Sequence, residues 1–149
     1  MQLTRAADYA VRVMIHLASQ PAQTRVSRTE LAAAAECPEQ FLSKVLQNLA
    51  RAGLIVSHRG NTGGFELPAT GEPITLLQVV EAIEGPIHLN VCLTSDSACT
   101  RQDWCPAHPI WEDAQDALTN VLRRVTIQDL ASNESGVVTI DKRDLRPWN

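Results

Sequence analysis

Residues 27–65 constrain the fold most, because five local signals follow one another there in a fixed order. Ser27-Arg-Thr-Glu30 has capping-box spacing and precedes the short apolar run 31–35. That run is Leu followed by four Ala, so the helix it predicts can approach a neighbour closely. Glu36-Cys37-Pro38-Glu39 then starts a second helix, since proline fits a first helical position where its missing N–H has no partner. Phe41, Leu42, Val45, Leu46 and Leu49 make its apolar face, Gln40, Ser43, Lys44, Gln47 and Arg51 its polar face, and Gly53 is a natural left-handed stop. After Gly53 the period changes: 54–59 predicts a strand, the glycine-rich 60–64 a turn, and 65–68 a returning strand that Pro68 must end.

Upstream, Thr4 is a helix cap, and Ala6, Ala10, Val13, Met14 and Leu17 recur on one face of a helix that ends near Ser19. The order helix, short helix, turn, helix, hairpin is that of a winged helix-turn-helix. Downstream, Thr75 and Gln78 form another capping-box pair, and Gly85-Pro86 closes the helix they open. No period survives over 88–107. Ile110, Trp111, Ala114, Leu118, Val121, Leu122 and Val125 then form a long apolar stripe, with Thr126 and Asp129 able to cap a last turn through Leu130. The stripe predicts a dimerisation helix; packing against its own domain is the plainer alternative.

The chain therefore reads as mainly α with a small β-hairpin wing. A winged helix-turn-helix domain fills 1–87, a cysteine-rich loop 88–107, a long dimerisation helix 108–131 and a mobile polar tail 132–149. At 149 residues, 44% hydrophobic and 20% charged, the composition is that of a globular protein. The longest apolar run is five residues where a membrane span needs about 20. The first residues lack the apolar block of a signal peptide, which predicts the cytoplasm.

Residues 1–66 hold seven Lys/Arg against five acids, and 67–149 six against twelve, so the formal charge of −4 is unevenly spread. Phosphate contacts depend on the charge of one face and not on the total, so the first half remains fit for DNA. In a helix-turn-helix the second helix enters the major groove by its N-terminal half. Here that half offers Glu39, Gln40, Ser43, Lys44 and Gln47. Gln suits adenine edges, Lys guanine edges or phosphate, and Glu a cytosine amino group. Arg28 at the start of the short helix suits a phosphate. Arg59 with Gly60 at the wing tip suits a phosphate or the minor groove.

Cys92, Cys99, Cys105 and His108 fall within seventeen residues of aperiodic chain and can converge on one metal centre. The spacing departs from the two-residue knuckles of zinc fingers and favours an iron–sulfur cluster over structural zinc. In a cytoplasmic setting disulfides are disfavoured. Cys37, the remaining cysteine, reads as a small cap residue.

With these residues in view, the chain resembles the Rrf2 family of winged-helix transcription regulators, which has IscR-, NsrR- and RirA-like members. The resemblance is carried by Met1-Gln-Leu-Thr-Arg-Ala-Ala-Asp-Tyr-Ala-Val, by Arg59-Gly60-Asn-Thr-Gly63-Gly64-Phe65, and by the Cys92/Cys99/Cys105 loop followed by Trp111; it runs from residue 1 to about 130. It implies a homodimer whose cysteine loop holds an iron–sulfur cluster, [2Fe–2S] or [4Fe–4S]. It further implies that affinity for a double-stranded DNA operator follows the cluster's state, set by iron supply, redox conditions or nitric oxide. NsrR-like members take a fourth ligand from an aspartate of the partner subunit's first helix, and Asp8 stands at the matching place. IscR-like members use a histidine three residues after the last cysteine, which His108 matches. Both have plainer readings: Asp8 as a first-turn acid favoured by the helix dipole, His108 as a helix cap beside Pro109. Six residues separate Cys92 from Cys99, where those two subtypes have five.

Catalysis has little support. There is no nucleophile elbow, and the glycines at 60–64 are not followed by a helix, so they do not form a phosphate cradle. The competing regulators are a cluster-free protein switched by cysteine oxidation and a DNA-binding protein with structural zinc.

Overall fold

The computed structural model describes residues 2–60, 63–69, 71–95 and 99–132. The turn residues Asn61 and Thr62, loop residues 96–98 and the tail from 133 onward lie outside them. Helix α1 (Arg5–Ser19) starts at Thr4, whose hydroxyl accepts from the Ala7 amide, and buries Ala7, Ala10, Val13, Met14 and Leu17. Ala6, expected on that face, sits half-buried at its edge while Ala7 takes the core position. Helix α2 (Arg28–Ala35) begins where Ser27 accepts from the Glu30 amide. The reciprocal half of the capping box is not made; the Glu30 carboxylate lies 3.6 Å from His16 Nε2 on α1 instead.

Glu36 ends α2 in the left-handed conformation (φ 52°) and turns the chain into α3 (Glu39–Arg51). Leu42, Val45, Leu46 and Leu49 of α3 are buried against α1 and α2. Phe41 is a correction. It was expected in the core, yet 60% of its surface is exposed. Leu42, the next residue round the helix, is fully buried, and with roughly 100° between successive residues Phe41 falls outside the core-facing arc.

The wing is shorter than its apolar pattern. Leu54 and Ile55 enter the core, and only β1 (Val56–His58) pairs antiparallel with β2 (Gly64–Glu66). Val26 adds a third rung, exchanging two 2.9 Å hydrogen bonds with Phe65. A side chain at position 64 would put its Cβ 2.8 Å from the Val26 carbonyl oxygen, so this rung requires glycine. The Glu66 carboxylate braces the hairpin, 2.7 Å from His58 Nε2 and 3.7 Å from Arg25 Nε.

Helix α4 (Leu76–Glu84) opens with the full Thr75–Gln78 capping box, and its last residue receives both the amide (2.9 Å) and the hydroxyl (2.6 Å) of Thr4 on Oε1. Two 3₁₀ turns, Val91–Leu93 and Gln102–Trp104, punctuate the cysteine segment, where no periodic element was expected. Helix α5 (His108–Arg124) divides its apolar stripe: Leu118 and Leu122 pack on Leu77, Val80 and Ile87, while Ile110 and Trp111 face outward. The chain then breaks at Val125. Leu76 donates to the Val125 carbonyl and Ile127 to the Ile74 carbonyl, both at 2.8 Å. Beyond this stitch, α6 (Ile127–Ser132) returns to α1, and Ile127 is fully buried in the main core. The segment 108–131 is thus two helices, the second capped by Thr126 and Asp129 at the last turn the sequence marked, and this second helix completes the N-terminal core.

Candidate functional site

Two surfaces carry the residues singled out by the sequence. On α3, Gln40, Lys44, Gln47 and Arg51 are exposed, as a groove-reading face requires. Glu39 is not free: its carboxylate lies 3.7 Å from Arg28 Nε, which offsets the acid's charge. Ser43 donates its hydroxyl to the Glu39 carbonyl (3.2 Å). Arg28, Ser43, Gln47, Ser57 and Phe65 line one shallow depression of about 240 Å³ between α3, the start of α2 and the hairpin. Arg59 and Gly60 are exposed at the wing's end, with Gly60 at φ 100°, a conformation that side chains disfavour. Sequence reasoning missed Phe41 as part of this exposed face. The signal that could have found it was its helical position, at the margin of the apolar arc and beside Lys44.

The second surface is the cysteine segment. Cys92, Cys99 and Cys105 line one cavity of about 220 Å³ together with Asn90, Val91, Gln102, His108 and Trp111. All three thiols are free and half-buried. Among the described residues no three side chains already stand together as ligands of a single ion; the thiols are spread around the cavity wall. His108 is 9% exposed, and its Nδ1 is buried without a hydrogen-bond partner, as is Gln102 Oε1. Its Nε2 lies 3.7 Å from the Glu112 carboxylate one turn along α5. His108 is not the cap of α5, whose cap position is Ala107 and which has no side-chain cap; the His108 amide donates to the Cys105 carbonyl at 3.1 Å. Arg101 lies over the Trp104 ring, 5.5 Å from its centroid, at the outer margin of the segment.

This donor set fits a thiophilic metal centre. Three cysteines and a histidine line one space, the Nδ1 of that histidine has no hydrogen-bond partner in the protein, and buried polar atoms rarely stay unpaired without a reason. Asp8 is not among the lining residues. It is exposed on α1, 2.9 Å from Arg12 Nη2, and Arg12 also reaches Glu36 (3.3 Å) at the α2–α3 turn. Cys37 is buried at that turn, far along the chain from the cavity, and desolvation pushes its thiol pKa up, which disfavours the nucleophilic thiolate.

Three helices with a short turn before the third, followed by a glycine-bearing hairpin, define a winged helix-turn-helix DNA-binding protein. The chain belongs to the Rrf2 family: the model of that family, described as an iron-dependent transcriptional regulator, matches residues 3–133. Protein aau3 of Rhizobium meliloti is 36% identical over 132 residues, spanning 87% of this chain and 84% of that one. The HTH-type transcriptional regulator NsrR of Halalkalibacterium halodurans is 31% identical over 135 residues, 90% of this chain and 92% of that one. Among solved structures, CymR, the global cysteine regulator of B. subtilis, superposes with a TM-score of 0.69 at 29% identity, covering 89% of this chain and 97% of that one. The chain is a DNA-binding transcriptional regulator and not an enzyme. No helix among the described residues is long and apolar enough to cross a membrane.

Proposed function

We propose that this chain acts in the cytoplasm as a homodimeric regulator whose grip on a DNA operator depends on an iron–sulfur cluster held by Cys92, Cys99, Cys105 and His108. The observation that carries this reading is that Cys92, Cys99, Cys105 and His108 line one cavity, with the His108 Nδ1 left without a hydrogen-bond partner. The iron-dependent description of the family supports it. When bound, the cluster supplies iron–thiolate chemistry that responds to iron supply, redox state and nitric oxide. The protein's own residues do the rest. Gln40, Ser43, Lys44 and Gln47 meet base edges, with Glu39 held beside them by Arg28, and Arg28, Arg59 and Gly60 meet the backbone. Ile110 and Trp111, exposed on α5, supply the apolar surface for a second subunit.

A regulator of this kind needs only a modest bias between two conformations, about 1.4 kcal/mol for each tenfold change in affinity. The cysteine segment joins α4 to α5; the two helices pack on each other, and α4 in turn packs on α1 and α3. Closing the segment around a metal would alter the setting of α5 against α4, and with it the spacing of two recognition helices, which operators tolerate poorly.

The test is anaerobic reconstitution with iron and sulfide followed by gel-shift titration of a selected operator. Different affinities for loaded and metal-free protein are expected; equal ones overturn the switch. Cys99→Ala abolishes the cluster's visible absorbance. His108→Ala shifts that spectrum whereas Asp8→Ala leaves it unchanged, and the reverse result assigns the fourth ligand to Asp8 of the partner subunit.

A second reading, in which thiol oxidation itself is the switch, is favoured by the likeness to the oxidized form of Staphylococcus aureus CymR (26% identity, TM-score 0.68). Iron and sulfide analysis of freshly purified protein separates the two. Colourless, metal-free protein whose DNA affinity still changes with peroxide supports the second.

A further inference from the structure

The recognition helix carries a large apolar side chain turned away from the core. Phe41 lies in the first turn of α3, its amide donating to the Pro38 carbonyl at 2.9 Å, and 60% of its surface is open. The helix cannot roll to hide the ring, because Leu42, Val45, Leu46 and Leu49 fix its other face in the core. Around the helix Phe41 stands roughly 60° from Lys44, so the ring borders the polar face that meets DNA. On the opposite flank, toward the hairpin, Ser43 turns its hydroxyl back to the Glu39 carbonyl. The phenyl ring thus holds one flank of the reading face, beside Lys44.

We propose that Phe41 is a specificity-determining residue that packs against the C5-methyl group of a thymine in the major groove. The occupant follows from the chemistry of the groove. Base edges there present hydrogen-bond donors and acceptors, and the thymine methyl is their one apolar group. An exposed phenyl ring next to Lys44, on a helix whose family binds DNA, continues an interface already defined, and burying one methyl against it excludes water from both. Phe41 therefore adds thymine recognition to the hydrogen-bonding readout by Gln40, Lys44 and Gln47. The assignment rests on operator binding and not on the metal centre.

The experiment starts by selecting bound duplexes from a random pool with the wild-type protein. Each thymine of the selected duplex is then replaced singly by uracil, which removes only the methyl, and affinities are read by fluorescence anisotropy for wild type, Phe41→Leu and Phe41→Ala. The expected result is one thymine in each half-site where uracil weakens the wild type about fourfold, the worth of one buried methyl. Phe41→Ala binds thymine and uracil duplexes equally, and Phe41→Leu keeps part of the difference. Because the ring is exposed, the thermal unfolding midpoint of Phe41→Ala matches that of the wild type. Insensitivity of the wild type at every thymine overturns the assignment, as does a thymine preference that survives in Phe41→Ala. A change of oligomeric state in Phe41→Ala, read by sedimentation, also overturns it and gives the ring to a second copy of the chain. Failure of the wild type to select any sequence is a separate result. It defeats operator binding itself, and the thymine contact with it.

Discussion

Met14, Leu31, Leu42 and Leu49 are sealed from water among the first three helices, whereas residues 88–111 turn Val91, Trp104, Ile110 and Trp111 outward. The two regions solve the packing problem differently. The first is held by long-range contact among α1, α2, α3, α4 and α6, so burial does most to determine its shape. The second is held by two 3₁₀ turns, a few backbone hydrogen bonds and the docking of Leu118 and Leu122, with polar atoms of Gln102 and His108 buried and unpaired. A region built that way has little stability of its own, and what binds it can shift its conformation at small cost. The contrast runs between the proposed DNA-reading body and the segment proposed to sense.

The contrast breaks most visibly in the core. Leu42→Ala should lower unfolding stability by about 2–5 kcal/mol, because the removed atoms leave a cavity in close-packed surroundings. Trp104→Ala, at a ring that is 68% exposed, should change the chemical-denaturation midpoint hardly at all. Equal losses would mean that the cysteine segment is as integral as the core. Next in size is the wing. Gly64→Ala forces a Cβ against the Val26 carbonyl and should cost about 1–3 kcal/mol, with weaker operator binding in a gel-shift titration because the Val26–Phe65 rung must shift.

A smaller effect sharpens the role of α6. Thr126 and Asp129 cap it reciprocally: the Thr126 hydroxyl (2.6 Å) and amide (3.0 Å) donate to the Asp129 carboxylate, and the Asp129 amide donates to the Thr126 hydroxyl. Thr126→Ala should cost about 1 kcal/mol in thermal denaturation, as cap removal does elsewhere. The smallest effect concerns pH. The Thr126 hydroxyl and then its amide hold the Asp129 carboxyl below its usual range. A depressed folded-state value means that the cap contributes fully above the ordinary carboxylate pKa and is lost as the pH falls through the folded one. Acid should therefore loosen α6, detectable as faster hydrogen exchange there, and Asp129→Asn should flatten that dependence.

Much of the fold was legible because local signals agreed with one another. Ser27, Thr75 and Gly53 mark helix ends as their chemistry demands, and Cys92, Cys99, Cys105 and His108 do line one cavity. What escaped depends on distance along the chain or on fine angle. Ile127 fills the core through contacts with α1, more than a hundred residues earlier, which no period reveals. Phe41 sits one position before a buried leucine, and an apolar residue at the edge of an arc looks the same in sequence whether it closes on the core or opens to solvent. The Arg28–Glu39 pair joins two helices across a turn, so neither charge announces its partner.

The stitch between Val125–Ile127 and the start of α4 has a consequence for biosynthesis. The hole that Ile127 fills is lined by residues that leave the ribosome far earlier, and it stays open until α6 has been made. Nascent chains that stall before residue 127 should thus display an apolar pit to chaperones and proteases, although α1, α2, α3 and the hairpin have already been synthesised. The cysteine-bearing passage is consequently bracketed by the body it serves, and it cannot be cut from either end without leaving that body unfinished.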